Sequence, residues 1–287
     1  AQESGWSTPS FSIVTNGVLL DESGVDFLAH EDFGVTVSID GPGEIHDVLR
    51  PDRLGQGTFQ KVDQNLRLLL QKGIAPGIEV TYTKAHSDRG ISPLEILRFF
   101  QSHYGIRRIL IAPAGGDEKS PWRVNGEEIA EAFSAAARYA LDSTGTGSSI
   151  ELANVRAILE NLRHPRPSHQ YCYADLGVDH FAVSSSGKLY PCQMFNEQPS
   201  FDMGSVFSPQ DLTEADRVRK TLSSRTKEEG PCSNCWAKDL CTLCQGGVFL
   251  ETKGLRPVPE HRCILIRRLA EVALAHEARR ASSRPRA

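Results

Sequence analysis

All seven cysteines of this 287-residue chain lie between Cys172 and Cys263, and none precedes them. In order they read Cys172, Gly187, Cys192, then Cys232-Ser-Asn-Cys235, Cys241, Cys244 and Cys263. Written as spacing, this is C-x14-G-x4-C, a gap, C-x2-C-x5-C-x2-C, a gap, and C. A C-x2-C turn aims two thiolates at one point, and amides of the turn can donate hydrogen bonds to the sulfurs. Four thiolates suit either tetrahedral zinc or an iron–sulfur cluster, and spacing alone leaves both open. Seven does not divide into two complete four-cysteine sites, which leaves room for a site of three thiols with a coordination position open to water, another residue or a substrate. Disulfides fit poorly: the count is odd, and a chain of this size buries enough apolar surface to need no staples.

The segment resembles the SPASM domain, the auxiliary-cluster domain of radical S-adenosylmethionine (SAM) enzymes that modify peptides and proteins. Every interval of that family's pattern is matched except one: Cys241-Thr-Leu-Cys244 has two intervening residues where three are usual. The flanks agree as well, in Gly187-Lys-Leu-Tyr-Pro-Cys192, Phe201-Asp-Met-Gly-Ser-Val206 and Cys235-Trp-Ala. By position, the resemblance implies two auxiliary 4Fe–4S clusters. Cys172, Cys192 and Cys244 would hold the first, with an open iron, and Cys232, Cys235, Cys241 and Cys263 the second.

The first half of the chain reads as alternating strands and helices. Strand patterns cover residues 11–15, 34–40, 78–83 and 108–112. Helical patterns cover residues 23–30, 59–72, 93–103, 126–141 and 151–162, and a last helix follows Cys263 to about Arg280. Continuous apolar strands alternating with helices predict an α/β architecture with parallel pairing. Residues 181–184 and 188–190 form an expected hairpin across Ser185-Ser186-Gly187.

Thr15-Asn16-Gly17, Val37-Ser-Ile-Asp-Gly-Pro42, Ile45-His-Asp47, Arg50 and Gly55-Gln-Gly-Thr-Phe59 resemble the third and fourth βα units of a radical SAM partial (β/α)6 barrel. The expected domains are a partial barrel at 1–145, a linker helix at 146–170, a SPASM domain at 171–265, and a helix with a basic tail at 266–287. In that family the C-terminal ends of the strands face SAM, as loops do at that end of α/β barrels. Carried over by position, Ser38 is the first candidate to contact SAM, with Asn16 and Asp40 behind it.

The C-x3-C-x2-C motif that holds the SAM-cleaving cluster is not among these residues. Three explanations are open: the C-terminal portion of a longer enzyme that also carries SAM and a third 4Fe–4S cluster, which is the reading favoured here; a separate polypeptide that carries the motif; or a degenerate relative that only binds. The 287 residues alone are not expected to cleave SAM. In the intact enzyme a 5′-deoxyadenosyl radical would take hydrogen from a peptide or protein side chain. The auxiliary clusters would relay the departing electron, and a flavodoxin or ferredoxin would supply reductant.

In sulfatase-maturating relatives an acidic base directly follows the second SPASM cysteine. Here that position is Gln193, which favours thioether or carbon–carbon crosslinking of a ribosomal peptide over formylglycine formation. A metal-stabilised, non-catalytic peptide-binding module is the alternative of another class. No catalytic base stands out: Asp179, Tyr190, Glu197 and Asp202 are isolated, and His46, His169, His180 and His261 gain nothing from spacing. A net charge of −4 supplies no general basic surface for nucleic acid. No apolar run reaches the roughly 20 residues that span a bilayer. A reducing, cytoplasmic setting suits thiolate-bound clusters.

Overall fold

A computed structural model describes residues 9–116, 119–124, 126–147, 149–164, 171–172, 176–208 and 213–282. The chain divides into two compact units, one of residues 1–114 and 131–156, the other of residues 115–130 and 157–287. This division differs from the expected boundaries in three respects. Residues 115–130 join the second unit, the expected linker at 146–170 is split between the two units after residue 156, and the C-terminal helix is part of the second unit rather than a separate piece.

The first unit is built on a five-stranded sheet: β1 (Ser12–Thr15), β2 (Gly34–Ser38), β3 (Gly77–Tyr82), β4 (Arg108–Pro113) and β5 (Glu151–Leu152). The strands lie in sequence order and every pairing is parallel. Between them run α1 (Glu22–His30), α2 (Gly43–Leu49), α3 (Phe59–Gln71), α4 (Lys84–Asp88), α5 (Pro93–Tyr104) and α6 (Gly126–Asp142). This α/β sheet is the expected one. Two short helices, α2 and α4, fall outside the helical patterns read from the sequence. The segment predicted as a helix from residue 151 begins instead with β5, and the helix α7 (Ala153–Arg163) follows it.

Local chemistry sets the helix ends. The Asp21 carboxylate accepts from the Gly24 amide at 2.8 Å and starts α1. Ser92 and Glu95 form a capping box around Pro93 at the start of α5, and Gly105 ends that helix in the left-handed region (φ 67°). Strand alternation sends Val35, Val37, Ile39, Ile78, Val80, Tyr82, Ile109 and Ile111 to one buried face. The helices contribute Val62, Leu66, Leu69, Ile96, Leu97, Phe100 and Phe133 to the same core. The other face carries Thr36, Ser38, Glu79 and Thr81, all half-buried.

The carboxyl ends of β2 and β3 are joined by buried polar groups. Asp40 is 1% exposed. Its carboxylate accepts from Arg50 Nε at 2.6 Å, Arg50 Nη2 at 3.1 Å and the Thr81 amide at 2.8 Å. The Asp40 amide donates to His46 Nδ1 at 3.2 Å, and its carbonyl accepts from His86 Nε2 at 2.8 Å. His86 Nδ1 in turn accepts from the Thr83 amide at 3.1 Å. Both imidazoles therefore receive backbone N–H bonds on Nδ1, a role open only to the neutral ring. Burial lowers both pKa values from 6.5 in the same sense.

The second unit has little regular structure before its C-terminal helices. The hairpin β6 (Ala182–Val183) and β7 (Leu189–Tyr190) is antiparallel, as expected, and turns at Gly187 with φ 80°. The Leu189 amide and carbonyl also bond Gly204 and Met203, each at 2.9 Å, so a third segment lies along β7. Three helices follow, α8 (Thr213–Ser223), α9 (Gln245–Thr252) and α10 (Glu260–Ser282). Two small apolar clusters hold these pieces: Tyr190, Cys192, Phe195, Phe201, Met203, Val218 and Leu222 in one, Tyr171, Leu243 and Val248 in the other.

The neutral histidines give the first unit an acid limit. Their stabilisation is present above 6.5, the value in the unfolded chain, and is lost as pH falls through the lower folded values. Urea midpoints are expected to drop steadily below about pH 6.5, and His86→Gln to flatten that slope. A midpoint independent of pH would remove the neutral-imidazole account.

Candidate metal centres

The fold gathers the seven thiols into two groups. Cys192 has Cys172 and Cys244 as electrostatic neighbours. Cys241 has Cys232 and Cys235, and Cys263 has Cys241 and Cys232. All seven are free thiols.

Each thiol is delivered by a short local device. Cys192 follows β7 and precedes the 3-10 turn Gln193–Phe195. Cys232 ends the turn Gly230–Cys232, and the Cys235 amide returns to the Cys232 carbonyl at 3.1 Å, closing the C-x2-C turn. Cys241 directly follows the turn Lys238–Leu240. Cys244 is the N-cap of α9, where its sulfur accepts from the Gly247 amide at 3.3 Å. Cys263 lies within the first turn of α10, which begins earlier than the sequence indicated. Glu251 of α9 binds Arg262 Nε of α10 at 2.8 Å and His261 Nε2 at 3.2 Å, tying together the helices that carry Cys244 and Cys263.

The sulfurs sit in a mixed environment. Tyr171 donates its hydroxyl to Cys232 Sγ at 3.4 Å. Amides of Met194 and Phe195 bond Cys192, and that of Leu243 bonds Cys241. Burial nevertheless dominates, pushing the Cys192 and Cys241 thiols up and Cys263 to about 11. Among the described residues no three His, Cys, Asp or Glu side chains converge tightly enough to hold one metal ion. A tetrahedral zinc would draw its sulfurs to about 3.8 Å of one another, from Zn–S bonds of about 2.3 Å. An iron–sulfur cluster bonds each thiolate to a different iron, so its ligands stand wider apart.

The strand ends of the first unit hold the other candidates. Ser38 is half-buried at the end of β2, and Asn16 is exposed just past β1, where its side chain accepts from the Val18 amide at 3.1 Å. Asp40 lies deeper, with its carboxylate fully engaged by Arg50 and Thr81. Sequence reading passed over Glu79, which pairs with Ser38 in the β2–β3 register and shares its face. The signal was present: a carboxylate interrupts the apolar run of β3. It also passed over the buried Lys227 near Cys241, which no spacing rule marks. Of the isolated acids, Asp202 bonds Lys188 at 2.6 Å and the Gly204 amide at 3.0 Å. His261 belongs to the Glu251 network, and His169 lies outside the described residues.

In the metal-free chain, exposed Cys244 is expected to alkylate first at pH 8 and Cys263 last. A rise from 9.0 to about 11 leaves Cys263 with about a hundredth of the ordinary thiolate. Because the folded thiol is the weaker acid, the metal-free fold should lose stability as pH climbs from 9.0 to about 11. Residue-resolved mass spectrometry after timed iodoacetamide treatment checks the order.

No family model matches the chain. The cysteine-type anaerobic sulfatase-maturating enzyme of Clostridium perfringens strain 13 is 25% identical over 243 residues, 82% of this chain and 63% of that protein. The Clostridium novyi enzyme of the same description is 24% identical over 240 residues, 80% of this chain and 62% of its own length. The chain thus spans somewhat under two thirds of these curated relatives. Among solved structures, native anSMEcpe with bound AdoMet superposes with a TM-score of 0.78 at 19% identity, covering 96% of this chain and 75% of that one. The same protein with AdoMet and the Kp18Cys peptide gives a TM-score of 0.76. In sequence and in fold alike, this chain is similar to the anaerobic sulfatase-maturating enzymes.

Proposed function

We propose that the chain is the cluster-bearing portion of a radical SAM maturase of the anaerobic sulfatase-maturating type, acting on a peptide or protein. The observation that supports this most is the gathering of seven free thiols into groups of three and four. Cys232, Cys235, Cys241 and Cys263 would hold one 4Fe–4S cluster. Cys172, Cys192 and Cys244 would hold another with one iron left open. Such clusters, when bound, would carry single electrons between a substrate radical and a flavodoxin- or ferredoxin-type reductant.

The chain's own residues do the rest. The Cys244 cap on α9 and Cys263 on α10 are tied by the Glu251–Arg262 pair, so the two ligand sets form one stiff frame. Tyr171 and the Gly247 amide donate to sulfurs and lower their effective negative charge. On the sheet edge, Ser38 offers a hydroxyl to SAM bound in the whole protein, and Asn16 flanks it. Asp40 serves by holding the β2 and β3 ends in register through Arg50 and Thr81.

Crosslink formation is the reading we adopt for the product, because Gln193 stands where an acidic base would follow Cys192. Formylglycine formation is the second reading, supported by the curated relatives, which are sulfatase-maturating enzymes. The two differ by mass: a crosslinked substrate loses two hydrogens, whereas a converted cysteine exchanges its thiol for an aldehyde oxygen.

Anaerobically reconstituted protein is expected to hold about seven to eight irons with matching sulfide. Cys235→Ala should remove roughly half and Cys192→Ala the other half, read by iron, sulfide and zinc analysis. Zinc without sulfide would replace this proposal with a structural metal module. In the whole protein, Ser38→Ala is expected to weaken SAM binding about fivefold, the loss of one hydrogen bond worth about 1 kcal/mol. Calorimetric titration with SAM reads that change.

A further inference from the structure

Lys227 is a buried cation, only 4% exposed. Its ammonium donates to the carbonyls of Lys238 at 3.2 Å and Cys241 at 3.3 Å. Among the described residues it has no carboxylate partner, although Glu228 lies next to it in sequence and pairs with Lys238 at 3.1 Å. A buried ammonium held by two carbonyl dipoles alone is costly, and proteins retain one where an anion offsets it. Its two carbonyl partners begin and follow the turn Lys238–Leu240 that leads into Cys241, so the charge lies beside that thiol. It is also among the groups that ease Cys241 toward its thiolate.

Two other cations lie in the same neighbourhood. Arg267 has Cys263 and Cys235 as electrostatic neighbours while pairing with the exposed Glu260. Arg256, paired with Glu229 at 2.8 Å, is an electrostatic neighbour of Tyr171, whose hydroxyl bonds Cys232. Both of these have carboxylate partners, so their fields are partly cancelled. Lys227 is the buried cation here whose charge is left for the thiolates.

We propose that Lys227 is the counter-ion of the cluster held by Cys232, Cys235, Cys241 and Cys263, and that it raises the reduction potential of that cluster. The inference rests on the cluster assignment made above. One-electron reduction adds one negative charge to a cluster that four thiolates already make anionic. The electron comes from an external reductant, dithionite in the test, and no bond is made or broken at the protein. A fixed buried cation stabilises the reduced form more than the oxidised one. In this low-dielectric setting the difference is not screened away as it would be at the surface. Net charge close to the sulfurs is one of the means by which a protein sets such potentials.

The test uses the reconstituted full chain, with Cys192→Ala as background so that only the four-cysteine cluster is loaded. Lys227→Gln keeps an N–H donor for the two carbonyls and removes the charge. Lys227→Met removes both, and Lys227→Arg keeps the charge. Iron and sulfide content is read first, then the potential by dithionite titration followed by electron paramagnetic resonance. The expected result is a full cluster in Lys227→Gln with about tenfold less reduced form at a given potential, a shift of about 59 mV downward. Lys227→Arg should stay near the parent value.

An unchanged potential in a loaded Lys227→Gln or Lys227→Met protein would overturn the proposal. So would failure of both neutral variants to assemble a cluster, which would make Lys227 a clamp of the 238–241 turn. A parent protein that binds no iron and sulfide at this site would instead overturn the cluster assignment itself, and the two failures are told apart by the first measurement.

Discussion

Thiols held in partly buried positions are the constraint on which the second unit depends. Among the described residues, its secondary structure between α7 and α8 amounts to a short hairpin and 3-10 turns, and its two apolar clusters are small. Into this frame the fold places Cys192, Cys241 and Cys263 at burial that opposes their ionisation. Without a bound electrophile these groups are weakly acidic thiols with few polar partners. With metal bound, ligation offsets the cost of exposing negative charge to a low dielectric, and binding free energy becomes folding free energy. The turns at residues 230–241, the α9 cap and the first turn of α10 are the local devices that position these sulfurs.

The first unit solves a different problem with different forces. Its parallel sheet is held by an ordinary aliphatic core on the helix-covered face, while its other face carries hydroxyls and Glu79. The strand ends that border this face must be rigid for any ligand to meet a preformed site. Asp40 supplies that rigidity. One carboxylate, 1% exposed, binds Arg50 and the Thr81 amide, and the same residue's backbone bonds His46 and His86. Breaking such a buried pair by removing one partner typically costs about 3–5 kcal/mol, more than most single contacts in the core. Ser38, two residues earlier, inherits its position from that hub.

Much of this was legible in residue order. The strands β1 to β4 and the long helices appear as apolar runs and helical periods, and their ends carry the expected signals: Asp21, the Ser92–Glu95 box, Gly105. The cysteine spacing marked all seven candidate ligands. Where the reading failed, the cause was local. Helices α2 and α4 are too short to show a period, and β5 is only two residues long, so a following helical pattern absorbed it. The start of α10 was misplaced because its first turn carries His261, Arg262 and Cys263, side chains fixed by tertiary partners rather than by helix preference.

By itself the sequence determined the class of chemistry: thiols in C-x2-C turns, a parallel α/β sheet, and polar residues at strand ends. These follow from short-range geometry, since a turn of four residues or a strand period is complete within its own segment. Only the tertiary structure made Cys172 and Cys244 electrostatic neighbours of Cys192, and Cys232 and Cys241 those of Cys263. It alone turned Asp40 from a candidate contact into the brace behind Ser38, and it alone buried Lys227 beside Cys241. Each of these depends on which loops pack together across long stretches of chain, and on how much water that packing removes. Burial and charge compensation are properties of the assembled interior, and no spacing along the chain encodes them.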